Sequence, residues 1–375
     1  MRIVYVLTSL GIGGAERQAL ELAERMSRRG HAVSLLVLRP RLGQEWPTSL
    51  PVIRLEMRRN PGSLIVAMAR ARRFLRGFRP DLVHSHSFHA NIVARLLRLL
   101  VPKPVVVSTI HNIDEGGRHR MMAYRLTDGL CRRTTAVSQA VADRFILMRA
   151  VPAGKCTVIL NGIDCTEFVP DSGRRARMRE EICAGKQDAG FLWLAAGRLT
   201  PAKDYPNLLR AFAQVRASCS RQVRLFVGGE GSAAALSALR ALAAELGLDD
   251  SIRWLGLRRD LPALLDAADG FVLSSAWEGM PLALAEAMCM GKPVVATDAG
   301  GVRELVADAG TIVPAHSTEA LAQAMLALMH EPLESRQALG RAARQRIEKH
   351  FSIDARANDW EALYRGMIDE TGNRE

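Results

Sequence analysis

Short, nearly continuous apolar runs alternate along the chain with longer stretches in which apolar residues recur every three or four positions. In the first half the runs are IVYVL at 3–7, VSLLVL at 33–38, LVHSH at 82–86 and VVVST at 105–109, with helical periodicity over about 15–29 and 63–77. Strands that are apolar along their whole length and separated by helices predict a parallel sheet covered on both faces. The pattern then restarts: FLWLAAG at 191–197, RLFVGG at 224–229, IRWLG at 252–256, GFVLSS at 270–275 and PVVAT at 293–297 each lead into a helical stretch. The expected fold class is therefore α/β, with two doubly wound parallel-sheet domains that each use their strands' carboxyl ends for ligands.

Between the two halves lies VILNGIDCTEFVPDSGRRARMREE, in which Asn161-Gly162 marks a turn and Pro170, Asp171, Ser172 and Gly173 form a polar, breaker-rich stretch. This segment reads as a hinge. Near the end, Ala357, Trp360, Leu363, Tyr364 and Met367 follow one another at spacings of three, three, one and three, which predicts an amphipathic helix with a large apolar face. A length of 375 residues fits two domains of about 100–200 residues each. The hydrophobic share of 48% excludes a disordered or fibrous chain. No repeat of solenoid period is present.

Charge divides the chain further. Residues 1–166 hold 26 Lys and Arg against 11 Asp and Glu, whereas 167–375 hold 25 against 28. Such asymmetry points to nucleic acid, an anionic membrane or an acidic ligand. Codon bias towards Arg is the bland alternative, since only six of the 51 basic residues are Lys, but it does not by itself leave the second half acidic. The opening MRIVYVLTSLGIGG runs directly into glycines and a helical pattern, so it reads as a first strand and not as a signal peptide. No uncharged apolar run approaches the ~20 residues that cross a bilayer, so any membrane contact is expected to be peripheral. Cys131, Cys156, Cys165, Cys183, Cys219 and Cys289 show no zinc spacing and are expected to be reduced thiols of a cytosolic protein.

Candidate chemistry sits where strands end. Gly11-Ile-Gly-Gly-Ala-Glu16 joins the first strand to the first helix, where backbone N–H groups and a helix end can receive a phosphate or a sugar hydroxyl. The dinucleotide fingerprint fails at Glu16, and no acidic residue stands near position 36 for a ribose. A simple strand-to-helix turn remains open there. Arg198 and Lys203 follow the strand FLWLAAG, and a planar fork with a movable point charge could neutralise a diphosphate without a metal. As a solvated pair on a loop they would do nothing.

Further on, Glu278-Gly-Met-Pro-Leu-Ala-Leu-Ala-Glu286 places one carboxylate in a loop and another on the second turn of a helix whose first turn should contain Pro281. Free N–H groups from about Leu282 could bind phosphate, while Glu286 accepts bonds from a ribose diol. A glycosidase acid/base pair stays open in principle, although a sequence-local pair suits a nucleotide clamp better than the opposed faces of a sugar. His84 and His86 end one strand and His111 follows another, which makes them candidates for general base or sugar contact. A packed or capping histidine is the alternative at each position.

Together GIGGAE at 11–16, His111, NGID at 161–164, GRLTPAKDYPNLLRAF at 197–212, VGGEG at 227–231 and EGMPLALAEAMCMGKPVVAT at 278–297 carry a resemblance. The chain resembles retaining glycosyltransferases of the GT-B fold, family 4, of the kind that assembles bacterial polysaccharides, and the match covers nearly its full length. The resemblance implies two Rossmann-like domains facing a cleft. These would be an acceptor-binding domain at 1–166, a domain binding the nucleotide-sugar donor at 167–351 and a C-terminal helical segment at 352–375 that crosses back onto the first domain. It implies that Arg198 and Lys203 hold the donor diphosphate, Glu286 the ribose hydroxyls, and Glu278 with the N–H groups of Gly279 and Met280 the donor sugar, beside Pro281 and Leu282. Gly13 and Gly14 would lie against the phosphate or sugar, His111 near the reacting carbon, and His84 and His86 on the acceptor side. The nucleobase would lie near Gly229, Gly256 and the loop of Arg258 and Asp260.

One departure is Lys203-Asp204, where the family usually reads Lys-Gly. The cation survives, and only the loop geometry is affected. The family works by front-face departure and attack without an enzyme nucleophile, so no cofactor and no metal are expected. The implied donor is a UDP-sugar, with a GDP-sugar next. The implied acceptor is a lipid-linked saccharide. Two other readings compete: a GT-B nucleotide-sugar epimerase, and a nucleic-acid-binding protein built on the basic half, which the aromatic content of 5% disfavours.

The basic half then reads more narrowly. Residues 54–79 carry eight Arg against one acid, Glu56, and Leu64, Ile65, Met68, Arg72, Leu75 and Arg76 fall at helical spacing with Phe74 and Phe78 adding bulk. This predicts an interfacial helix for anionic lipid, hence a cytoplasmic protein peripheral at the inner face of the membrane. An ordinary surface helix whose Arg stems cover apolar neighbours is the alternative.

Overall fold

In a computed structural model, described for residues 1–41, 43–58, 60–183 and 190–372, the chain divides into two compact units. One comprises Met1–Gly162 with Ile353–Glu375, the other Ile163–Ser352. The first holds β1 (Arg2–Leu7), α1 (Gly14–Arg28), β2 (Ala32–Val37), β3 (Val52–Arg54), α2 (Pro61–Phe78), β4 (Leu82–His86) and α3 (Phe88–Leu100). After these come β5 (Val105–Ile110), α4 (Arg118–Thr127), β6 (Arg133–Ala136), α5 (Gln139–Leu147) and β7 (Cys156–Val158). All pair in parallel in the order β3-β2-β1-β4-β5-β6-β7.

The second unit runs α6 (Ser172–Cys183), β8 (Phe191–Ala196), α7 (Tyr205–Ser218), β9 (Val223–Gly228), α8 (Ala233–Glu245), β10 (Ile252–Gly256), α9 (Leu261–Ala267) and β11 (Gly270–Leu273). It continues through α10 (Leu282–Cys289), β12 (Val294–Thr297), α11 (Val302–Val306), β13 (Thr311–Val313), α12 (Thr318–His330) and α13 (Leu333–His350). Its sheet is parallel, in the order β10-β9-β8-β11-β12-β13. The last helix, α14 (Ile353–Gly372), belongs to the first unit.

Each sheet thus reverses its strand order once, between β1 and β4 and between β8 and β11. The loops after these strands diverge at such a switch point and leave a crevice at the carboxyl edge. Both sheets are built from the continuous apolar runs because helices shield both faces. One face of the first sheet packs Tyr5, Leu7, Leu35 and Val107 against Ala19 and Ala23 of α1 and against Ala357, Trp360, Tyr364 and Met367 of α14. Its other face packs Val4, Val6 and Val106 against Ala67, Ala71 and Leu75 of α2 and Ala94 and Leu97 of α3.

Several expectations change. The strands β3, β6, β7 and β13 did not stand out in the pattern because they are only three or four residues long and include Arg or Thr. The second half of the expected hinge is helix α6: Asp171 accepts from the Arg174 N–H at 2.7 Å, and Met178, Ile182 and Cys183 are buried. Cys165 and Cys289 are not free thiols but joined in a disulfide, 124 residues apart in sequence, whereas Cys131, Cys156, Cys183 and Cys219 are free. In α2 the apolar positions do not share one outward face. Leu75 is buried, and Met68, Phe74 and Phe78 pack against the core, which leaves Leu64, Ile65 and Val66 exposed beside Arg70, Arg72, Arg73 and Arg76.

Candidate active site

The crevice residues of the second unit come from the ends of β8 and β11. After β8 the chain passes Gly197 and Arg198 and makes a single 3-10 turn, Pro201–Lys203, before α7. Tyr205, buried, donates its hydroxyl to the Gly197 carbonyl at 3.0 Å and holds the start of α7 against the end of β8. Asp204 stands at φ 43° and ψ 48°, the left-handed conformation that glycine adopts freely, and its side chain caps α7 by accepting from the Asn207 N–H at 3.4 Å. The Lys203-Asp204 departure therefore keeps the turn that Lys-Gly would make and adds a cap.

The β11 loop is fastened to this turn. Ala276 N–H donates to Ala202 O at 2.8 Å and Ser274 Oγ to Lys203 O at 2.7 Å. Lys203 Nζ then lies 2.5 Å from Glu278 Oε1, which also accepts from Ser275 Oγ at 2.6 Å. Glu278 is buried, and at Gly300, with φ 61°, any side chain would strike the Glu278 carbonyl oxygen. Likewise, a side chain at Gly229 would strike the Gly197 carbonyl oxygen. Two backbone-to-backbone approaches therefore set where Lys203 and Glu278 stand.

Helix α10 begins directly after this loop. Pro281 is its N-cap rather than a first-turn residue, so the helix starts one position later than the sequence suggested. Gly279, Met280 and Pro281 are buried, Leu282 is partly exposed, and Glu286 on the second turn is buried. The opening N–H groups of a helix lack intrahelical acceptors and carry its positive end. Arg198 is exposed and makes no ion pair among the described residues. One cation held by a carboxylate, one free cation and a helix N-terminus make a place for an anion, with two carboxylates able to accept from hydroxyls.

Not every expected donor residue is available. The Arg258 side chain is taken by Asp260, at 2.5 Å, and by Glu181, at 3.2 Å. Its guanidinium therefore braces a loop through Asp260 and Glu181. Gly229 stays close to it, since its N–H donates to Gly256 O at 2.7 Å.

In the first unit, Leu7 of β1 pairs with His86 of β4, so the glycine loop and the histidine strand flank the switch point. Gly13 is the N-cap of α1, partly exposed, with Gly14 exposed as its first residue. Gly13 has no Cβ where Glu16 folds its carboxylate back, and its carbonyl accepts from Trp46 Nε1 at 3.4 Å. His84 is wholly buried, with Tyr364 Oη 2.6 Å from Nδ1 and Thr109 Oγ1 2.6 Å from Nε2. It cannot contact an acceptor, because both ring nitrogens are spent joining β4 to α14 and β5.

His86 is also buried, and its Nδ1 lies 2.9 Å from His111 Nε2. Burial pushes His111 down to about 4 and holds His84 and His86 well below the usual histidine range, so all three are neutral near pH 7. Sequence reasoning missed Glu115. It takes the Tyr124 hydroxyl at 2.6 Å and the His111 N–H at 3.3 Å, and burial pushes its carboxyl up to about 7. Ser275 and Tyr364 were missed as well. A serine pair at a strand end is the only local signal for the first, and nothing local marks the second.

Among the described residues no group of three or more His, Cys, Asp or Glu could hold a metal ion, and no helix is long and apolar enough to cross a membrane.

The sequence pattern of Glycosyl transferases group 1 matches residues 183–346, and that of Glycosyltransferase Family 4 matches residues 12–167. The chain is 26% identical over 299 residues to the UDP-Gal:alpha-D-GlcNAc-diphosphoundecaprenol alpha-1,3-galactosyltransferase of Escherichia coli, covering 77% of this chain and 76% of that one. It is 30% identical over 312 residues to the D-inositol 3-phosphate glycosyltransferase of Segniliparus rotundus, covering 78% and 67%. Anabaena HepE in complex with UDP and glucose superposes with a TM-score of 0.86 at 22% identity, over 98% of this chain and 100% of that one. At that identity the likeness shows a shared fold.

Proposed function

The chain belongs to the family-4 glycosyltransferases of the GT-B fold, and from that premise we propose that it moves a hexose or hexosamine from a UDP-sugar to a lipid-linked saccharide in cell-surface polysaccharide assembly. The observation that carries this reading is the Lys203–Glu278 contact beside the N-terminus of α10, with Arg198 uncommitted. The donor diphosphate lies against Arg198, Lys203 and the opening N–H groups of α10, and Glu286 accepts from the ribose diol. Glu278 and the N–H groups of Gly279 and Met280 hold the sugar. In the first unit, Gly13, Gly14 and His111 serve the sugar, and that unit takes the acceptor. The choice of UDP and of a lipid-linked acceptor is supported by the name of the Escherichia coli relative, which pairs UDP-Gal with a diphosphoundecaprenol-linked GlcNAc, and the UDP choice also by HepE's complex with UDP.

Transfer retains the anomeric configuration. The bond from C1 to the diphosphate oxygen breaks, the acceptor oxygen bonds to C1 on the same face, and its proton passes to the leaving diphosphate. Catalysis is then mainly stabilisation of negative charge on the leaving group. The two cations and the helix end supply that stabilisation, so the reaction runs without a metal.

The first unit meets the inner face of the cytoplasmic membrane through α2. Leu64, Ile65 and Val66 are exposed there, and Arg70, Arg72, Arg73 and Arg76 complement anionic headgroups.

A thermal-shift screen of nucleotide sugars, followed by acceptor assays with the stabilising donor, tests the reading. UDP-sugars should raise the melting temperature, and a GlcNAc-diphospholipid should then be glycosylated. A donor altered without any acceptor would indicate an epimerase, and transfer to inositol phosphate alone would overturn the lipid-linked acceptor.

A further inference from the structure

His86 and His111 form a hydrogen bond whose direction the surroundings decide. His86 is 3% exposed, its Nδ1 is 2.9 Å from His111 Nε2, and its Nε2 is buried without a partner among the described residues. If His86 carried its proton on Nε2, a buried N–H would be orphaned, which folded proteins tolerate less well than an orphaned acceptor. The proton therefore belongs on His86 Nδ1, which donates to His111 Nε2. His111 must then be a bare acceptor at Nε2 and, being neutral, must carry its own proton on Nδ1. His111 is only half-buried, and its Nδ1 makes no hydrogen bond among the described residues.

The rings around the pair keep it in place. His86 stacks on Tyr5 with centroids 5.9 Å apart and an interplanar angle of 19°, and lies 4.0 Å from the His84 ring. Below it, His84 is held between Tyr364 and Thr109. On the other side, the His111 backbone N–H is taken by Glu115. Neither ring can turn over without breaking the hydrogen bond that joins them.

We infer that His86 is a positioning residue that locks neutral His111 in the Nδ1–H tautomer, so that His111 presents a hydrogen-bond donor, not a base, to a hydroxyl of the donor sugar. This rests on the reading of His111 as a sugar contact. Histidine side chains free in water favour the Nε2–H form, so the inferred tautomer is a distinctive signature of the pair. It also gives His86 a role in place of direct acceptor contact.

The test is long-range proton–nitrogen NMR of the whole protein labelled with nitrogen-15 histidine, without ligand. Wild type should show His111 protonated at Nδ1. His86→Asn, whose amide can donate from near the Nδ1 position, should keep that signature, and His86→Phe should convert His111 to the Nε2–H form. With the conversion, kcat should fall about tenfold, the worth of one hydrogen bond, while KM for the donor changes little. His86→Asn should restore kcat. A wild-type His111 protonated at Nε2, or a signature unchanged in His86→Phe, overturns the inference, and the wild-type spectrum decides even if the Phe variant does not fold. Full activity in His111→Ala would instead overturn the sugar contact and leave the tautomer result standing.

Discussion

Lys203 Nζ meets Glu278 Oε1 at 2.5 Å across 75 residues of sequence, and both side chains are largely withdrawn from solvent. On the proposed reading, a donor diphosphate would compete with Glu278 for the Lys203 ammonium. Lys203→Ala and Arg198→Ala should each lower kcat by about 10²–10³, the usual cost of removing one group that stabilises transition-state charge. Arg198→Ala should leave the melting temperature unchanged because the side chain is exposed and makes no ion pair among the described residues. Lys203→Ala should lower it by stranding a buried carboxylate, and adding Glu278→Gln should recover most of the loss. Near-normal turnover in either single variant, measured beside thermal unfolding, would refute these assignments.

Gly300→Ala should destabilise the second unit by about 2–4 kcal/mol, since the position is left-handed and the added methyl strikes the Glu278 carbonyl. Donor affinity should fall in parallel, read by calorimetric titration of UDP. An unchanged melting temperature would show that the loop yields freely.

Acid should destabilise the first unit before most of its carboxylates are protonated. His84, His86 and His111 are held neutral in the fold, so below the usual histidine value near 6.5 the unfolded chain binds protons that the folded chain refuses. Stability is therefore lost as pH falls from about 6.5 towards 4. Glu115 acts oppositely: raised to about 7, it keeps a proton that the unfolded chain has released, and its contribution shrinks as pH rises. Three groups against one give a falling melting temperature between pH 6.5 and 4.5, and Glu115→Gln should steepen the fall. Calorimetry across that range checks both signs, and a flat profile would contradict them.

On vesicles, each Arg near an anionic surface contributes about 1 kcal/mol. Neutralising Arg70, Arg72, Arg73 and Arg76 should thus abolish flotation with anionic liposomes while leaving transfer to a water-soluble acceptor intact. Equal flotation of the quadruple variant, or flotation with neutral lipid, would remove α2 from the account.

The two parallel sheets were legible because strands buried on both faces leave continuous apolar runs, as in IVYVL and FLWLAAG. Short strands such as Val52–Arg54 and Thr311–Val313 bury too few residues to leave that mark. In the candidate site, the residue types that bind anions were readable at strand ends, as with Arg198 and Lys203, but their partners were not. His84 looked like a substrate contact because Tyr364, which occupies it, lies 280 residues away. The same holds for Cys165 and Cys289, which nothing local connects. Distance in sequence hides the pairings, and those pairings decide which polar groups remain free for substrate.

The most direct test of the central claim follows the anomeric carbon. The protein would be incubated with an α-linked UDP-sugar and a GlcNAc-diphospholipid, and the first-formed product examined by proton NMR alongside released UDP. An α-linked product formed in step with UDP, without added metal, is the predicted result. A β-linked product, or UDP release with no glycosylated lipid, would contradict it.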